Sequence, residues 1–315
     1  MITYSPYRSS DAPACVALWN EALEADFPLD LRLWKQNVDQ SAHTLAEASL
    51  VARDDEDADR IVGFLIVKAP RHVSAVVVAP SHRRRGIGSE MAALAQQTIG
   101  ASGSWIAGQD YNHFFPGVPE ECGEALAFFK SLGYERGEGY AYDLSRDLGD
   151  YSIPPPVQDK IAALAAEGIS LGPCEPAELS RLIDHIAANF SARWVADTIA
   201  RLNVETNPSE IIVARRQAAG EIVGFAHTYS NRSLYIGPSI LWRPLLGPKY
   251  GGLGPIGVGK DVRKIGLGLA LLCYAVQSVK DRGATRMAID WTVLVDFYAR
   301  AGFAPWKRYI GMRQP

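Results

Sequence analysis

The sequence predicts an α/β chain made of two similar halves in tandem. The first observation is a repeated signature, Arg-x-x-Gly-x-Gly, at Arg83-Arg84-Arg85-Gly86-Ile87-Gly88 and again at Arg263-Lys264-Ile265-Gly266-Leu267-Gly268, 180 positions apart. The second is its setting: each copy follows an apolar strand-like run and opens an apolar helix. The third is that strand-like and helix-like segments alternate in the same order on both sides of a proline-rich boundary. At 315 residues the chain is long for one core and comfortable for two.

Taken in order, Ile2 to Tyr7 reads as a strand, Asp11 to Leu23 as an amphipathic helix and Leu29 to Val38 as a second helix. Ser49 to Arg53 and Ile61 to Ala69 are strand-like, joined by the acidic turn Asp54-Asp55-Glu56-Asp57. His72 to Ala79 is the strand before the glycine signature, and Ser89 to Ile99 lies in the helix after it. Ser104 to Ala107 is a short strand, Glu120 to Leu132 a helix stopped by Gly133, and strands follow near Tyr134 and over Tyr140 to Leu144. The prolines of Tyr151-Ser152-Ile153-Pro154-Pro155-Pro156 can continue neither a helix nor a central strand, so they mark the boundary. Gln158 to Ala166 is a connecting helix. The second half repeats the order. Ile169 to Leu171 is a strand, Pro176 to Asn189 a helix, and Ser191 caps a helix to Leu202. Strands cover Ile211 to Arg215 and Ile222 to Tyr229, and a helix after the second signature runs to Asp281. Met287 to Trp291 is a strand, Val295 to Ala301 a short helix, and Phe303 to Trp306 and Arg308 to Gly311 the last strands.

Composition narrows the function classes. Hydrophobic residues make up 48% and charged residues 21%, with a formal charge of −3, which gives no drive toward nucleic acid. The run Arg83-Arg84-Arg85 suits a phosphorylated small molecule better. Cys15, Cys122, Cys174 and Cys273 are scattered without a Cys-x-x-Cys pair, so neither a disulfide framework nor a metal site is expected. The longest apolar segment, Leu267 to Val276, is too short to span a bilayer, and the opening Met1-Ile2-Thr3-Tyr4 lacks the pattern of a signal peptide. A cytoplasmic setting is the default expectation. No pattern fixes an oligomeric state.

A strand that feeds a glycine-rich turn and a helix start is an anion site. The unpaired N–H groups of the first turn point outward with partial positive charge, and glycine lets the backbone approach a ligand closely. Downstream of each copy lies an aromatic motif, Phe128-Phe129-Lys130-Ser131-Leu132-Gly133-Tyr134 in the first half and Phe297-Tyr298-Ala299-Arg300-Ala301-Gly302-Phe303 in the second. Together these features resemble the GNAT superfamily of acetyl-CoA-dependent N-acyltransferases, over nearly the whole chain.

The resemblance implies two tandem GNAT-like domains, each a mixed, mostly antiparallel sheet flanked by helices. It places an N-terminal domain at residues 1–150, a linker with its helix at 151–167 and a C-terminal domain at 168–315. In that family the loop amides grip the coenzyme pyrophosphate, here Arg263, Lys264, Ile265, Gly266, Leu267 and Gly268, while the strand residues Val258 and Gly259 meet the pantetheine arm. Whether Arg83, Gly86 and Gly88 still bind coenzyme stays open. The family's proton-donating tyrosine falls on Tyr298, and Phe129 takes that position in the first half. A phenylalanine donates no proton, so the second half is the expected catalytic domain and the first its non-catalytic relative. Asp290, at the end of an apolar strand, either holds and deprotonates the substrate ammonium or caps the next helix. The insertion Ser239 to Gly252 suits an acceptor pocket, with Trp242 and Trp291 as platforms for a sugar ring. The loop Gly108 to Pro119 either reaches across to the other domain and helps wall its substrate site or packs on the surface, and His113 between aromatics reads as structural. The expected reaction is direct acetyl transfer to the primary amine of a small polar acceptor, an amino sugar such as glucosamine or a glucosaminide. A mycothiol-synthase-like enzyme acting on a cysteinyl amine, an antibiotic- or protein-modifying enzyme, and an acyl-CoA-binding sensor are the alternatives.

Overall fold

The computed structural model describes residues 1–57, 60–100 and 103–315. It resolves into two compact units, one formed by Met1–Ala141 with Lys307–Pro315 and the other by Tyr142–Trp306. In the first unit, β1 (Ile2–Pro6) leads into α1 (Ala12–Leu23) and α2 (Leu31–Trp34). Instead of the long second helix expected to Val38, α2 passes into a single π-helical segment, Lys35–Asp39. Then come β2 (Leu50–Asp54), β3 (Arg60–Lys68), β4 (His72–Val78), α3 (Ile87–Ile99), β5 (Trp105–Ala107), β6 (Val118–Pro119), α4 (Gly123–Ser131) and β7 (Glu135–Arg136).

The second unit starts with β8 (Ala141–Asp147), followed by α5 (Pro155–Ala166), β9 (Ile169–Pro173), α6 (Leu179–Asn189) and α7 (Ala192–Val204). Its remaining elements are β10 (Ile211–Arg216), β11 (Glu221–Ser230), β12 (Tyr250–Val258), α8 (Leu267–Asp281), β13 (Arg286–Thr292) and α9 (Val295–Ala299). The chain ends with β14 (Ala304–Ile310) and β15 (Met312–Gln314).

These unit boundaries correct the break expected at 151–167. Strand β8 comes from the first half of the sequence yet pairs with β13, Arg286 opposite Asp147 and Ile289 opposite Leu144. Strand β15, from the end of the chain, pairs with β5 and β7 of the first unit. The two halves have exchanged their closing strands: β15 fills beside β5 the place that β8 fills beside β13. The prolines do not break the chain either. Pro154 sits at the N-cap of α5, and the next two prolines occupy the first turn, where a missing N–H costs nothing.

Strand order in the first unit is β1-β2-β3-β4-β5-β15-β7, and in the second neighbouring strands run β8-β13-β12-β11-β10-β9. Both sheets are mixed and mostly antiparallel. The parallel pairs are β4 with β5 and β12 with β13. The second core gathers α5 and α8 against the sheet through Val157, Leu164, Leu267, Leu271, Ala275 and Val276. The first buries Trp19, Phe27, Trp34, Phe64 and Phe114.

The aromatic loop of the first unit is packed at its phenylalanines. Phe114 is 1% exposed, and its neighbour Phe115 stacks on Trp19 at 5.5 Å between ring centroids. Its backbone is held by the fully buried Lys68, whose Nζ donates to the carbonyls of Tyr111 (3.0 Å) and Asn112 (2.7 Å) and pairs with Asp110 at 2.9 Å. His113 is buried in the same loop, as a structural histidine is. Removing the cation while keeping Asp110 strands a buried charge, so Lys68→Met should cost about 3–5 kcal/mol in chemical denaturation of the first unit. The double variant Lys68→Met/Asp110→Leu should recover a large part of it.

Candidate active site

Strands β12 and β13 run parallel and paired from Tyr250 opposite Arg286 to Leu253 opposite Ile289. There the ladder ends, and β12 continues through Gly254–Val258 with β11 on one edge and no strand on the edge that faced β13. Its last residues, Pro255 to Val258, are only half-buried. A strand edge with unpaired N–H and C=O groups is a template for an extended ligand carrying amides. Val258 lies on this half-buried stretch, whereas the backbone of Gly259 is already engaged. Gly259 is buried, its N–H donates to the Val223 carbonyl (2.8 Å), and its carbonyl accepts from Val262 N–H (3.2 Å).

At the end of β12 the chain makes an alternating turn. Lys264 and Gly266 both lie in the left-handed region, at φ 68° and 88°, and α8 starts at Leu267 without a side-chain cap. Alternating left- and right-handed residues point successive N–H groups into one concavity, and the uncapped first turn adds its own. This loop therefore offers backbone donors to an anion. The Leu267 side chain is fully buried, so that residue contributes its amide alone. The first unit repeats the geometry, with Arg84 at φ 62° and Gly86 at φ 81° before α3. The aromatic motif has a packing reason as well. A Cβ at Gly88 would lie 3.0 Å from the Phe128 ring, and one at Gly268 3.9 Å from Phe297. Gly133 and Gly302 end the two helices at φ 81° and 80°, and the following N–H returns to the Phe129 or Tyr298 carbonyl.

Asp290 and Trp291 sit where β13 leaves its partner. From Ile289 to Thr292 the strand advances three residues while β8 advances two, from Leu144 to Tyr142. This bulge puts Trp291 at φ 38°, with its N–H donated to the Asp143 carboxylate at 3.1 Å. A bulge re-aims the side chains beside it. Here it brings the Asp290 carboxylate over β12 at Gly254, where a Cβ would lie 2.9 Å from Oδ1. Burial and the neighbouring Asp143 push the Asp290 carboxyl up to about 8, and Asp197 adds to this while Arg193 opposes it. Tyr298 is buried nearby and held well above the ordinary phenol range, chiefly by burial and then by Asp290, against a hydrogen bond with Thr292. It therefore carries its proton at neutral pH. The structure thus brings Asp290 and Tyr298 into one electrostatic neighbourhood at the mouth of the parted strands.

The platform residues fare differently. The Arg193 guanidinium lies 4.0 Å from the centre of the Trp291 ring, so one face of that ring is taken by a cation. Trp242 is 3% exposed, in an insertion that folds into short helical turns. Its ring has no open face, which corrects the expectation of a sugar platform there.

Helix α7 supplies what the sequence reading missed. Arg193, Asp197 and Arg201 are spaced four apart, hence on one helix face. That face is turned inward: Arg201 is 1% exposed, while the apolar Ile199 and Val204 are 42% and 47% exposed. Arg201 pairs with Glu205 and Glu210 and stacks 4.4 Å from the Tyr229 ring centre. Asp197 has no hydrogen-bond or ion-pair partner among the described residues, and burial pushes its carboxyl up to about 6 against Arg193. Just before α7, Phe190 packs with Trp194 over Gly257 of β12, where a Cβ would meet the Phe190 ring at 2.4 Å. The signal was present in the sequence as an inverted apolar pattern, but it reads as an ordinary amphipathic helix until the burial is known.

In the first unit, Val73 pairs with Ala107 as Leu253 pairs with Ile289, so Gly108 stands where the second unit has Asp290. Gln109, at φ 61°, stands where Trp291 does. Both chemical positions of the second unit are therefore replaced in the first, Asp290 by Gly108 and Tyr298 by Phe129. Its cleft persists nonetheless. A cavity of about 1160 Å³ runs along Val73–Val78 and the loop at Arg83, Gly86 and Gly88 to Phe128 and Phe129. Arg83 is paired with Glu124 at 2.7 Å. Among the described residues no cluster of His, Cys, Asp and Glu is arranged to hold a metal ion, and no helix is long and apolar enough to cross a membrane.

Each unit has a mixed sheet whose parallel pair parts beside an uncapped helix, and each contains a stretch that matches a known family. Residues 46–136 match the acetyltransferase (GNAT) domain and residues 179–303 the acetyltransferase (GNAT) family, together more than half of the chain. The chain belongs to the GNAT superfamily, as a tandem two-domain acetyltransferase. It is 28% identical over 270 residues to the mycothiol acetyltransferase of Mycolicibacterium paratuberculosis, covering 82% of this chain and 75% of that one. Against the mycothiol acetyltransferase of Arthrobacter sp. strain FB24 the identity is 24% over 293 residues, 85% and 80% of the two chains. Among solved structures, the glucosamine N-acetyltransferase region of a fungal multi-domain GH3 β-N-acetylglucosaminidase superposes with a TM-score of 0.86 at 26% identity. The match covers 99% of this chain and 38% of that protein's length. A tandem GNAT protein from the clavulanic acid biosynthesis pathway superposes with a TM-score of 0.70 at 19% identity, over 99% and 98% of the two chains.

The Asp290 carboxyl makes stability depend on pH. Its folded value of about 8 lies above the ordinary value of roughly 4. Between the two, the folded chain holds a proton that the unfolded chain releases, so stability falls as pH rises and levels off above about 8. Asp197 adds to the same slope up to about 6. Asp290→Asn removes the larger part. Thermal melts without ligand should therefore show the variant gaining on the wild type from pH 5 to pH 8.5, and parallel curves would show that Asp290 is already ionised.

Proposed function

We propose that this protein transfers the acetyl group of acetyl-CoA directly to the primary amine of an amino sugar, and that the second unit does the chemistry. The observation that carries the reading is the meeting of Asp290 and Tyr298 where β12 and β13 part. The donor's pantetheine arm lies along the open edge of β12, with the pyrophosphate on the loop from Arg263 to Gly268. The acceptor arrives as an ammonium ion among Asp290, Asp197 and Asp143, a setting that favours the ionised carboxylates and lowers their affinity for a proton.

The ammonium gives one proton to Asp290, and the freed nitrogen attacks the thioester carbonyl carbon. The tetrahedral intermediate collapses, the C–S bond breaks, and Tyr298 protonates the departing sulfur. The nitrogen's second proton restores the Tyr298 phenol as the intermediate becomes the neutral amide, and the Asp290 proton leaves to solvent. The products are an amide, coenzyme A thiol and one net proton. A base with a value near the working pH suits this role, and positioned acid–base groups contribute about 10²–10⁴ in rate. Positioning of the two reactants supplies much of the rest.

The amino-sugar acceptor is supported by likeness to the glucosamine N-acetyltransferase region of the fungal enzyme. A second reading, an acceptor amine of the mycothiol-synthase kind, is favoured by the named relatives. Thiol release from acetyl-CoA with glucosamine, glucosaminides, cysteinyl amines and aminoglycosides separates the two. Fastest turnover on the free amino sugars is expected; preference for a cysteinyl amine would select the second reading, and no release with any amine would leave a coenzyme-binding sensor. With the best acceptor, Tyr298→Phe should lower kcat by about 10²–10⁴ with little change in coenzyme affinity.

Assignment of the chemistry to one unit has its own test. Gly266 and Gly86 both lie at positive φ, so a valine strains either loop. Gly266→Val should abolish turnover, whereas Gly86→Val in a folded protein should leave most of it. The reverse outcome would move the active site to the first unit.

A further inference from the structure

We propose that Lys160, on the connecting helix α5, is a ligand of the coenzyme pyrophosphate in the second unit. This rests on the coenzyme reading of the loop at Arg263–Gly268 and adds to it a residue from outside the repeated motif. The contact is specific. A Cβ built on Gly266 would lie 3.0 Å from Cε, 3.3 Å from Cδ and 3.2 Å from Cγ of Lys160. The aliphatic stem therefore lies across the glycine whose left-handed turn shapes the anion loop. The ammonium is carried one bond beyond Cε. Gly266 serves twice, giving the loop its turn and giving the lysine room.

The placement follows from how α5 is fixed. Val157 and Leu164 are buried in the core with Leu267, Leu271 and Leu272 of α8. Lys160 lies three residues from Val157 and four from Leu164, so it borders that anchored face. It is half-buried, with its polar end left to find a partner. Among the described residues Lys160 has no hydrogen bond or ion pair, and neither Arg263 nor Lys264 has an ion-pair partner. The loop and the helix beside it thus carry three cations with no ion-pair partner among the described residues. A pyrophosphate, with two adjacent charged phosphates, matches both the donors and the charge.

The first unit provides the contrast within one chain. A Cβ at Gly86 would meet nothing within 4 Å, and Arg83 of that loop is paired with Glu124. The equivalent loop has the same turn without the added lysine and with one of its own cations already engaged. The lysine belongs to the segment between the halves, so the repeat does not generate it twice.

The test compares Lys160→Met and Lys160→Arg in the full chain with the best acceptor, using acetyl-CoA and its dephospho form, which keeps the pyrophosphate but lacks the 3′-phosphate. Lys160→Met should raise the KM for acetyl-CoA about tenfold or more at unchanged kcat, as for loss of one hydrogen bond to a charged group. The salt dependence of KM should weaken, and Lys160→Arg should stay near wild type. The same factor should appear with the dephospho donor. A KM within about twofold of wild type, or a fall in kcat alone, overturns the proposal. A penalty that vanishes with the dephospho donor overturns the pyrophosphate assignment in favour of the 3′-phosphate. If no amine is acetylated, calorimetric titration with coenzyme A carries the comparison: tight wild-type binding weakened by Lys160→Met supports Lys160 although the transferase reading has failed, and equal binding by both overturns it.

Discussion

The parting of β12 from β13 after Leu253 and Ile289 is the constraint on which the candidate site depends. Parallel strands joined by a helix are normally buried and paired along their length. Here the pairing stops partway, and one strand edge of β12 is left without a strand partner. Every other feature of the site responds to that opening. The loop before α8 sits at the end of the strand that continues. The bulge at Asp290–Trp291 sits where the other strand turns away and aims its carboxylate back across Gly254. Phe190 and Trp194 lie over Gly257, a position where any side chain would displace them.

The opening also explains the electrostatics. Asp143 and Asp197 both act on Asp290 with Arg193 as the opposing cation, and the carboxyl groups of Asp290 and, chiefly by burial, Asp197 stand above their ordinary range. Such an arrangement costs stability in the empty protein as pH rises, and it is relieved by a bound ammonium. Stability has been set aside at the place where a cationic ligand would restore it. The inward polar face of α7 belongs to the same compromise, since it leaves Ile199 and Val204 at the surface.

The duplicated units divide this chemistry unequally. Both retain the turn, the helix start and the aromatic that packs on the last glycine of the signature. Only the second keeps a carboxylate and a phenol at the parted strands, while the first has Gly108 and Phe129 around a cavity of about 1160 Å³. The features held in common are those that backbone geometry demands. The features that differ are side chains, which can change without disturbing the turn.

The sequence by itself determined the α/β class, the duplication, most elements to within a few residues, and the two glycine turns. These depend on hydrophobic period and on glycine's access to positive φ, both local properties of the chain. It also singled out Asp290 and Tyr298 by type and position. Only the tertiary structure decided the exchange of β8 and β15, because strand pairing joins residues far apart in sequence. Only it turned α7 inward to bring up Asp197 and Arg193, buried Trp242, engaged Gly259, and laid Lys160 across Gly266. Each of these is a matter of which surface meets which, and a linear pattern holds that information only after the chain has folded.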